Sequence, residues 1–130
     1  MATLTDYTTY AEAHRHFTGA ALWELFDGDR ASLNIAHECV DRHAAAGRVA
    51  VRVAHADGHD EVVSFAELSS FSSRFAHWLA ARGVTRGDRV AIMLEPSLAF
   101  YAALFGTIKR GAIAVPLSAD EVRAIESLAG

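Results

Sequence analysis

Cysteine is almost missing from this chain of 130 residues: Cys39 stands alone, so no internal disulfide can form and packing must hold the fold. Lysine is equally scarce. All but Lys109 of the 12 basic residues are arginines, scattered singly, and against 16 acidic residues they leave a net charge of -4. Such a balance supplies no field for a phosphate backbone or an anionic lipid, so nucleic acid is not an expected partner. Long hydrophobic runs are missing too. The longest uncharged stretch, Pro96 to Ile108, is interrupted by Ser97, Gly106 and Thr107 and falls short of the ~20 residues of a membrane-spanning helix. The opening MATLTDYTTYAEAHRH has neither the basic start nor the apolar block of a secretory signal, which makes a cytoplasmic location with a reduced thiol the expectation.

What is present suits a globular domain. Hydrophobic residues make up 52% and charged residues 22% of the chain, and this length can bury roughly 65 to 70% of its unfolded surface, enough for one core. Residues 1–31 read as a leader with a short helix, in which Thr9 and Glu12 are spaced as a capping box and Leu22, Trp23, Leu25 and Phe26 form an apolar cluster expected to dock. From Asn34 the apolar positions Ile35, Ala36, Cys39, Val40 and Ala44 recur at helical spacing as far as Gly47, predicting one amphipathic helix. Val49, Val51 and Val53 then alternate with Arg48, Ala50 and Arg52, and an Asp57-Gly58 turn leads into a return strand from Glu61 to Val63, predicting a β-hairpin.

Ser64 and Glu67 have the spacing of a second capping box, and Leu68, Phe71, Phe75, Trp78 or Leu79, and Arg82 share one face of the helix that Gly83 ends. RVAIML, between Asp88 and Pro96, is apolar on both faces and predicts a strand covered on both sides of a parallel sheet. Ser97 caps a helix through Leu98, Tyr101, Leu104, Phe105 and Ile108, and AIAVPL is a second such strand, so the expected fold is α/β: a βαβ unit with buried parallel strands plus a hairpin. A last short helix, started by Ser118 or Asp120, carries Val122, Ile125 and Leu128.

Three spaced motifs within residues 32–117 carry a resemblance. They are Ser64, Phe65, Glu67 and Leu68; then Gly83, Val84, Gly87, Asp88, Arg89 and Val90; then Gly111, Ala112, Pro116 and Leu117. In this order they resemble the N-terminal part of the adenylate-forming (AMP-dependent synthetase/ligase) superfamily, which includes acyl-CoA synthetases, peptide-synthetase adenylation domains and luciferases. The stretch from Asn34 to Gly47 looks most like the acyl-CoA synthetase branch. The resemblance implies that residues 32–130 are the N-terminal portion of an AMP-binding domain, an incomplete part of a larger layered domain. It also implies a parent enzyme that activates a carboxylic acid with Mg-ATP and passes the acyl group to coenzyme A.

The groups that do this chemistry in the family lie downstream of these motifs: a Gly-rich phosphate loop, an aromatic-Thr-Glu segment, a ribose-binding Asp and a C-terminal lysine. None matches a position here, so no catalytic, cofactor-binding or metal residue is assigned, and the chain alone is expected to be inactive. The motif residues have structural work instead, the glycines serving turns and helix ends. Lys109, in the last turn of a helix, is accounted for by the helix dipole.

Other candidates reduce similarly. His55, His59 and Asp60 surround the hairpin turn but fall short of the three or four convergent ligands of a metal site. His14 and His16, like His37 and His43, do not share a helix face, and His77 reads as a boundary residue. Cys39 on an apolar helical position reads as buried and inert. Asp88 and Arg89 are adjacent in a strand and point apart, and Asp88 is better placed to cap its turn. Glu95 follows the buried strand at its carboxyl end, where open α/β sheets place ligands, and is the one candidate for the edge of a substrate crevice; the alternative is that it solvates the strand end or helps start the next helix. The expected partner is the remainder of the adenylate-forming enzyme, or a second copy through an exposed sheet edge. Two rival readings are a truncated, non-catalytic interaction module and a small nucleotide-binding module, the latter disfavoured by the lack of a phosphate loop.

Overall fold

The computed structural model describes residues 2–129, and the chain divides into two compact units, Met1–Leu33 and Asn34–Gly130. The first unit holds α1 (Tyr10–Arg15) and α2 (Gly19–Trp23). Thr9 caps α1 by accepting the Glu12 N–H at 3.3 Å while its hydroxyl donates to the Glu12 carboxylate, and Thr18 caps α2 through the Ala21 N–H. Trp23 packs against Phe26 at 5.6 Å and takes the Arg30 guanidinium on its face, contacts made within this unit.

The second unit begins with α3 (Ile35–Cys39) and a 3-10 segment (Asp41–Ala46). Asn34 caps α3 by accepting the Ala36 and His37 N–H groups, and its amide donates to the Ile108 carbonyl at 3.1 Å. One continuous helix to Gly47 is therefore not what forms. The chain breaks at Val40 (φ -126°, ψ -62°), because leaving the helix turns Val40 into the core beside Val63 and Leu68 and frees Asp41 to reach the next helix. Tertiary packing here overrides a regular helical pattern. The same break corrects the reading of Cys39, which is exposed.

β1 (Val49–Ala54) and β2 (Asp60–Ser64) form the antiparallel hairpin, closed by Gly58 at φ 89°. The register slips between Val49 and Val51, a bulge that interrupts the simple alternation: Val51 and Val53 keep facing inward, Ala50 also meets the core, and Val49 is left exposed. The capping box then starts α4 (Phe65–Ala81), with the Ser64 N–H on the Glu67 carboxylate at 2.9 Å and the Glu67 N–H on the Ser64 hydroxyl at 3.2 Å.

α4 packs against α5 (Leu98–Lys109), and small residues govern the crossing. Ser72, Ala102, Ala103, Gly106 and Thr107 are all buried. Ser72 and Thr107 return their hydroxyls to carbonyls one turn back, Leu68 at 2.6 Å and Ala103 at 2.8 Å, so the buried contact holds no orphaned donor. This crossing sets the phase of α4. Its buried residues are Leu68, Ser72 and Leu79, so of the alternatives Trp78 or Leu79 it is Leu79 that turns inward, whereas Phe71, expected in the core stripe, is 40% exposed and His77 is exposed rather than at the boundary.

Behind α5 lies a parallel pair, β3 (Arg89–Ile92) and β4 (Ile113–Pro116), which completes the βαβ unit of an α/β fold. Gly87 (φ 87°) turns the chain into β3, and its N–H binds the Gly111 carbonyl at 3.0 Å, locking the two strand entries together. Of the predicted strand RVAIML only the first four residues pair. One face, Val90 and Ile92, is covered, while Arg89, Ala91 and Met93 are exposed; cover on both faces needs a layer that the described residues do not supply. Ser118 caps the final helix, α6 (Ala119–Ala129), in which the side chain of Ile125 lies outside the described residues. Among the described residues no helix is long and apolar enough to cross a membrane.

A Cβ placed on Gly106 would sit 2.6 Å from the Ser72 carbonyl oxygen and 2.9 Å from the Phe75 Cβ, distances that helix backbones must separate to relieve. Gly106→Val is accordingly expected to lose roughly 1 to 3 kcal/mol or more of stability in urea unfolding, by overpacking. An unchanged midpoint would show that the two helices do not cross so closely.

Candidate functional site

Parallel strands open a crevice where their carboxyl ends leave the sheet, and here two prolines lie beside it. The last bond of the ladder runs from the Leu117 N–H to the Ile92 carbonyl at 2.9 Å, and Pro96 and Pro116 both line the space beyond it. The cleft between them has a volume of about 510 Å³ and is lined by Met93, Leu94, Glu95, Pro96, Leu117 and Glu121 among others. Glu95 lies on its rim, exposed, in the loop between β3 and α5. Its backbone carbonyl accepts the Ser97 hydroxyl at 3.0 Å. The helix start that Glu95 was a candidate to serve is handled by others: Ser97 accepts the Phe100 N–H, and Glu61 reaches from β2 to accept the Leu98 N–H at 3.2 Å. Glu95 thus lines the cleft without a role in capping that helix.

The opposite wall carries a second carboxylate already in use. Glu121 accepts the Ser118 N–H at 2.6 Å, and that bond, with the Ser118 hydroxyl, holds its carboxyl below the usual range. The cleft therefore has an apolar floor and two acidic groups, with no cation in its lining. Nothing in it matches a triphosphate, whose recognition needs backbone N–H groups in a glycine-rich loop or a basic side chain.

Lys109, the sole lysine, is committed elsewhere. Its side chain is 11% exposed, and Nζ lies 2.6 Å from Asp41 Oδ1, 2.9 Å from Ser73 Oγ and 3.0 Å from the Ser69 carbonyl. Ser69 donates its hydroxyl to the same Asp41 oxygen at 2.6 Å. A lysine read from sequence as complementing a helix dipole is thus the centre of a polar tie joining α5, α4 and the 3-10 segment. Only the break at Val40, invisible in the helical pattern, brings Asp41 within reach.

The histidines gather no site. His55 and His59 stack at the hairpin tip with ring centroids 4.0 Å apart, His59 bonding Asp57 at 2.6 Å and His55 lying 3.8 Å from Glu61. His14 stacks on Tyr10 and His16 on Tyr7, while His43 packs against Phe65. Among the described residues no three His, Cys, Asp or Glu side chains are placed to hold a metal ion. Asp88 caps its turn, accepting the Thr85 N–H at 2.6 Å and the Thr85 hydroxyl at 3.0 Å.

With this geometry in view, the comparisons with known proteins are informative. A family model described as AMP-binding enzyme matches residues 40–124. The acetyl-coenzyme A synthetase of Burkholderia thailandensis is 39% identical over 98 residues, which is 73% of this chain and 14% of that protein. Its counterpart in Burkholderia mallei is 41% identical over 99 residues, with the same coverage. The chain thus spans 14% of the length of these relatives. An acyl-CoA synthetase structure from Brucella canis matches 93% of this chain and 23% of its own, with a TM-score of 0.79 and 31% identity. A fatty acid AMP ligase from Legionella pneumophila, at 23% identity over 68% of this chain and 16% of its own, shares the fold with a TM-score of 0.60.

Two stability predictions follow from the ties around the site. Lys109→Met leaves Asp41 with the Ser69 hydroxyl but without its cation, and since Asp41 is partly exposed the expected loss is about 1 to 3 kcal/mol by denaturant titration. The double variant Lys109→Met with Asp41→Leu should recover part of it. Thr85 holds the Asp88 carboxyl below its ordinary 3.8, first through the backbone N–H and then through the hydroxyl. A depressed folded pKa contributes stability that is present above 3.8 and is lost as pH falls through the lower folded value. In an acid titration of stability, Asp88→Asn should be less stable than the parent at neutral pH, and the difference should shrink on acidification below that point.

Proposed function

Because the chain belongs to the AMP-binding enzyme family and has the fold of the N-terminal domain of adenylate-forming enzymes, we propose that it is the opening part of an AMP-forming acid–thiol ligase, most like an acyl-CoA synthetase. The observation that carries the proposal is the 0.79 TM-score over 93% of the chain with an acyl-CoA synthetase, at 31% identity. Relatives named acetyl-coenzyme A synthetase support the same class.

In an enzyme of this kind a carboxylate oxygen attacks the α-phosphorus of ATP and releases pyrophosphate, with Mg²⁺ neutralising charge, and the thiol of coenzyme A then displaces AMP. The residues of this chain do not fit the binding of Mg-ATP: the cleft lining lacks a cation, the one lysine is spent on Asp41, and no glycine-rich loop is present. The proposed contribution of this segment is therefore scaffold and crevice wall. The Asp88 turn and the Gly87–Gly111 bond hold the strand entries, the α4–α5 crossing backs the sheet, and Pro96 and Pro116 line the cleft at the far end. Glu95 is proposed to line the crevice edge, and the remainder of the enzyme is the proposed partner that supplies nucleotide, metal and thiol binding. A cytoplasmic setting fits such an enzyme.

A graft tests this. Replacing the corresponding segment of the Burkholderia thailandensis relative with residues 34–130 should leave an active chimera in acid-dependent ATP–pyrophosphate exchange, whereas this chain alone should show no exchange. An inactive but folded chimera, or exchange by the chain alone, would overturn the reading. In the active chimera, Glu95→Ala should raise KM for one of acid, ATP or coenzyme A roughly two- to tenfold. Unchanged kinetics would remove Glu95 from the crevice.

A further inference from the structure

We propose that Glu61, on the hairpin and outside the cleft, is the positioning residue for the cleft wall formed by residues 93–96. Met93, Leu94, Glu95 and Pro96 all line the cleft and make up all but the last residue of the loop between β3 and α5. What this wall presents is set by where the two ends of the loop are held. One end is fixed by the sheet, where the Ile92 carbonyl accepts the Leu117 N–H at 2.9 Å. The other is fixed from a different element: Leu98, the first residue of α5, donates its N–H to Glu61 Oε1 at 3.2 Å, across 37 positions of sequence.

The helix start calls for this bond. The first turn of an α-helix leaves its N–H groups without intrahelical acceptors and carries partial positive charge. In α5, Ser97 serves the Phe100 N–H, and the first turn has no acidic residue of its own. Glu61 supplies both the acceptor and the negative charge that the local sequence lacks. The bond is partly buried, and Leu98 itself packs on Val40, Val63 and Leu68, so water competes with it less than on an open helix end. The second carboxylate oxygen, Oε2, lies 3.8 Å from His55 Nε2, beyond hydrogen-bond reach, so Oε1 is the oxygen that holds the loop.

Between Leu98 and the wall the chain has little slack. Pro96 has a fixed φ and biases Glu95 toward extended backbone, and the Ser97 hydroxyl, donating to the Glu95 carbonyl at 3.0 Å, closes the segment on itself. A shift of Leu98 is therefore carried to Glu95 rather than absorbed on the way. The hairpin, which contributes no lining residue, in this way sets the shape of the cleft. The consequence for substrate binding rests on the acid–thiol ligase reading; the position of the wall does not.

Amide NMR on the full 130-residue chain tests the position of the wall. Glu61→Ala should speed hydrogen exchange of the Leu98 amide roughly fivefold or more and move the Met93, Leu94 and Glu95 amide signals. Glu61→Gln, whose side-chain oxygen still accepts from Leu98, should leave both as in the parent, and so should His55→Ala. Exchange of the Ala103 amide, within α5, checks that each variant is folded. Should the alanine variant fail to fold, Glu61→Asp, which keeps the charge and withdraws it by one methylene, should show the same changes. In the chimera carrying residues 34–130, Glu61→Ala should raise the same KM that Glu95→Ala raises, roughly two- to fivefold with kcat unchanged, and Glu61→Gln should restore the parent value. Added to Glu95→Ala, it should raise that KM no further, since it acts through the wall. Unmoved Met93, Leu94 and Glu95 signals, a glutamine as damaging as alanine, or a parent-like KM for Glu61→Ala in an active chimera would each overturn the proposal. A chimera without activity overturns the ligase reading alone, and the amide signals of the 130-residue chain then decide whether Glu61 positions the wall.

Discussion

The close crossing of α4 and α5 at Gly106 is the constraint on which the rest of the second unit depends. With the Ser72 carbonyl only 2.6 Å from where a Cβ on Gly106 would stand, the helices meet backbone to backbone, and the phase of each is fixed by its small residues rather than its large ones. Turning α4 so that Ser72 faces α5 leaves Leu68 toward Val40 and Val63, under the hairpin, and puts Leu79 at the other end of the contact. It also lifts Phe71 and Trp78 onto a second surface groove with Phe75, Leu94, Ala99 and Ala102. One short distance thus decides both what is core and which aromatics remain outside.

Around that contact, polar ties join segments distant in sequence, each with a donor and an acceptor that packing alone would leave unmatched. Lys109 joins Asp41 with Ser69 and Ser73, Asn34 caps one helix while serving the carbonyl end of another, and Glu61 caps α5 from the hairpin. These bonds tell more about specificity of arrangement than about gross stability, since partly exposed ion pairs add little. They explain why a 3-10 segment rather than a helix follows Val40: the break aims Asp41 at the cation.

The chain belongs to the AMP-binding enzyme family and spans 14% of the length of the relatives it matches. The family motifs occupy turns, helix starts and strand exits, which is why they identify the fold. The sheet is covered by α5 on one face, and its other face shows Ala91, Met93 and Ile113. The bare apolar face is the surface that the proposed remainder of the enzyme would cover.

Much of this was legible from local rules, because capping and turn formation involve residues within a few positions of each other. The Ser64–Glu67 box, the Ser97 cap, the Asp57-Gly58 turn, the Asp88 turn and the alternation of strand and helix all follow from such spacing, and with the spaced motifs they determined the fold class and the family. The exposure of Cys39, the bulge at Ala50, the inward phase of Ser72 in place of Phe71 and the partners of Lys109 did not follow. Each depends on what a residue meets from another element, and periodicity carries no information about the shape of the opposing surface. Glu95 shows the division most plainly: its place after a buried strand could be read from the sequence, but only the tertiary structure decided that Glu61 and Ser97 start the helix, with Glu95 among the residues that line the cleft.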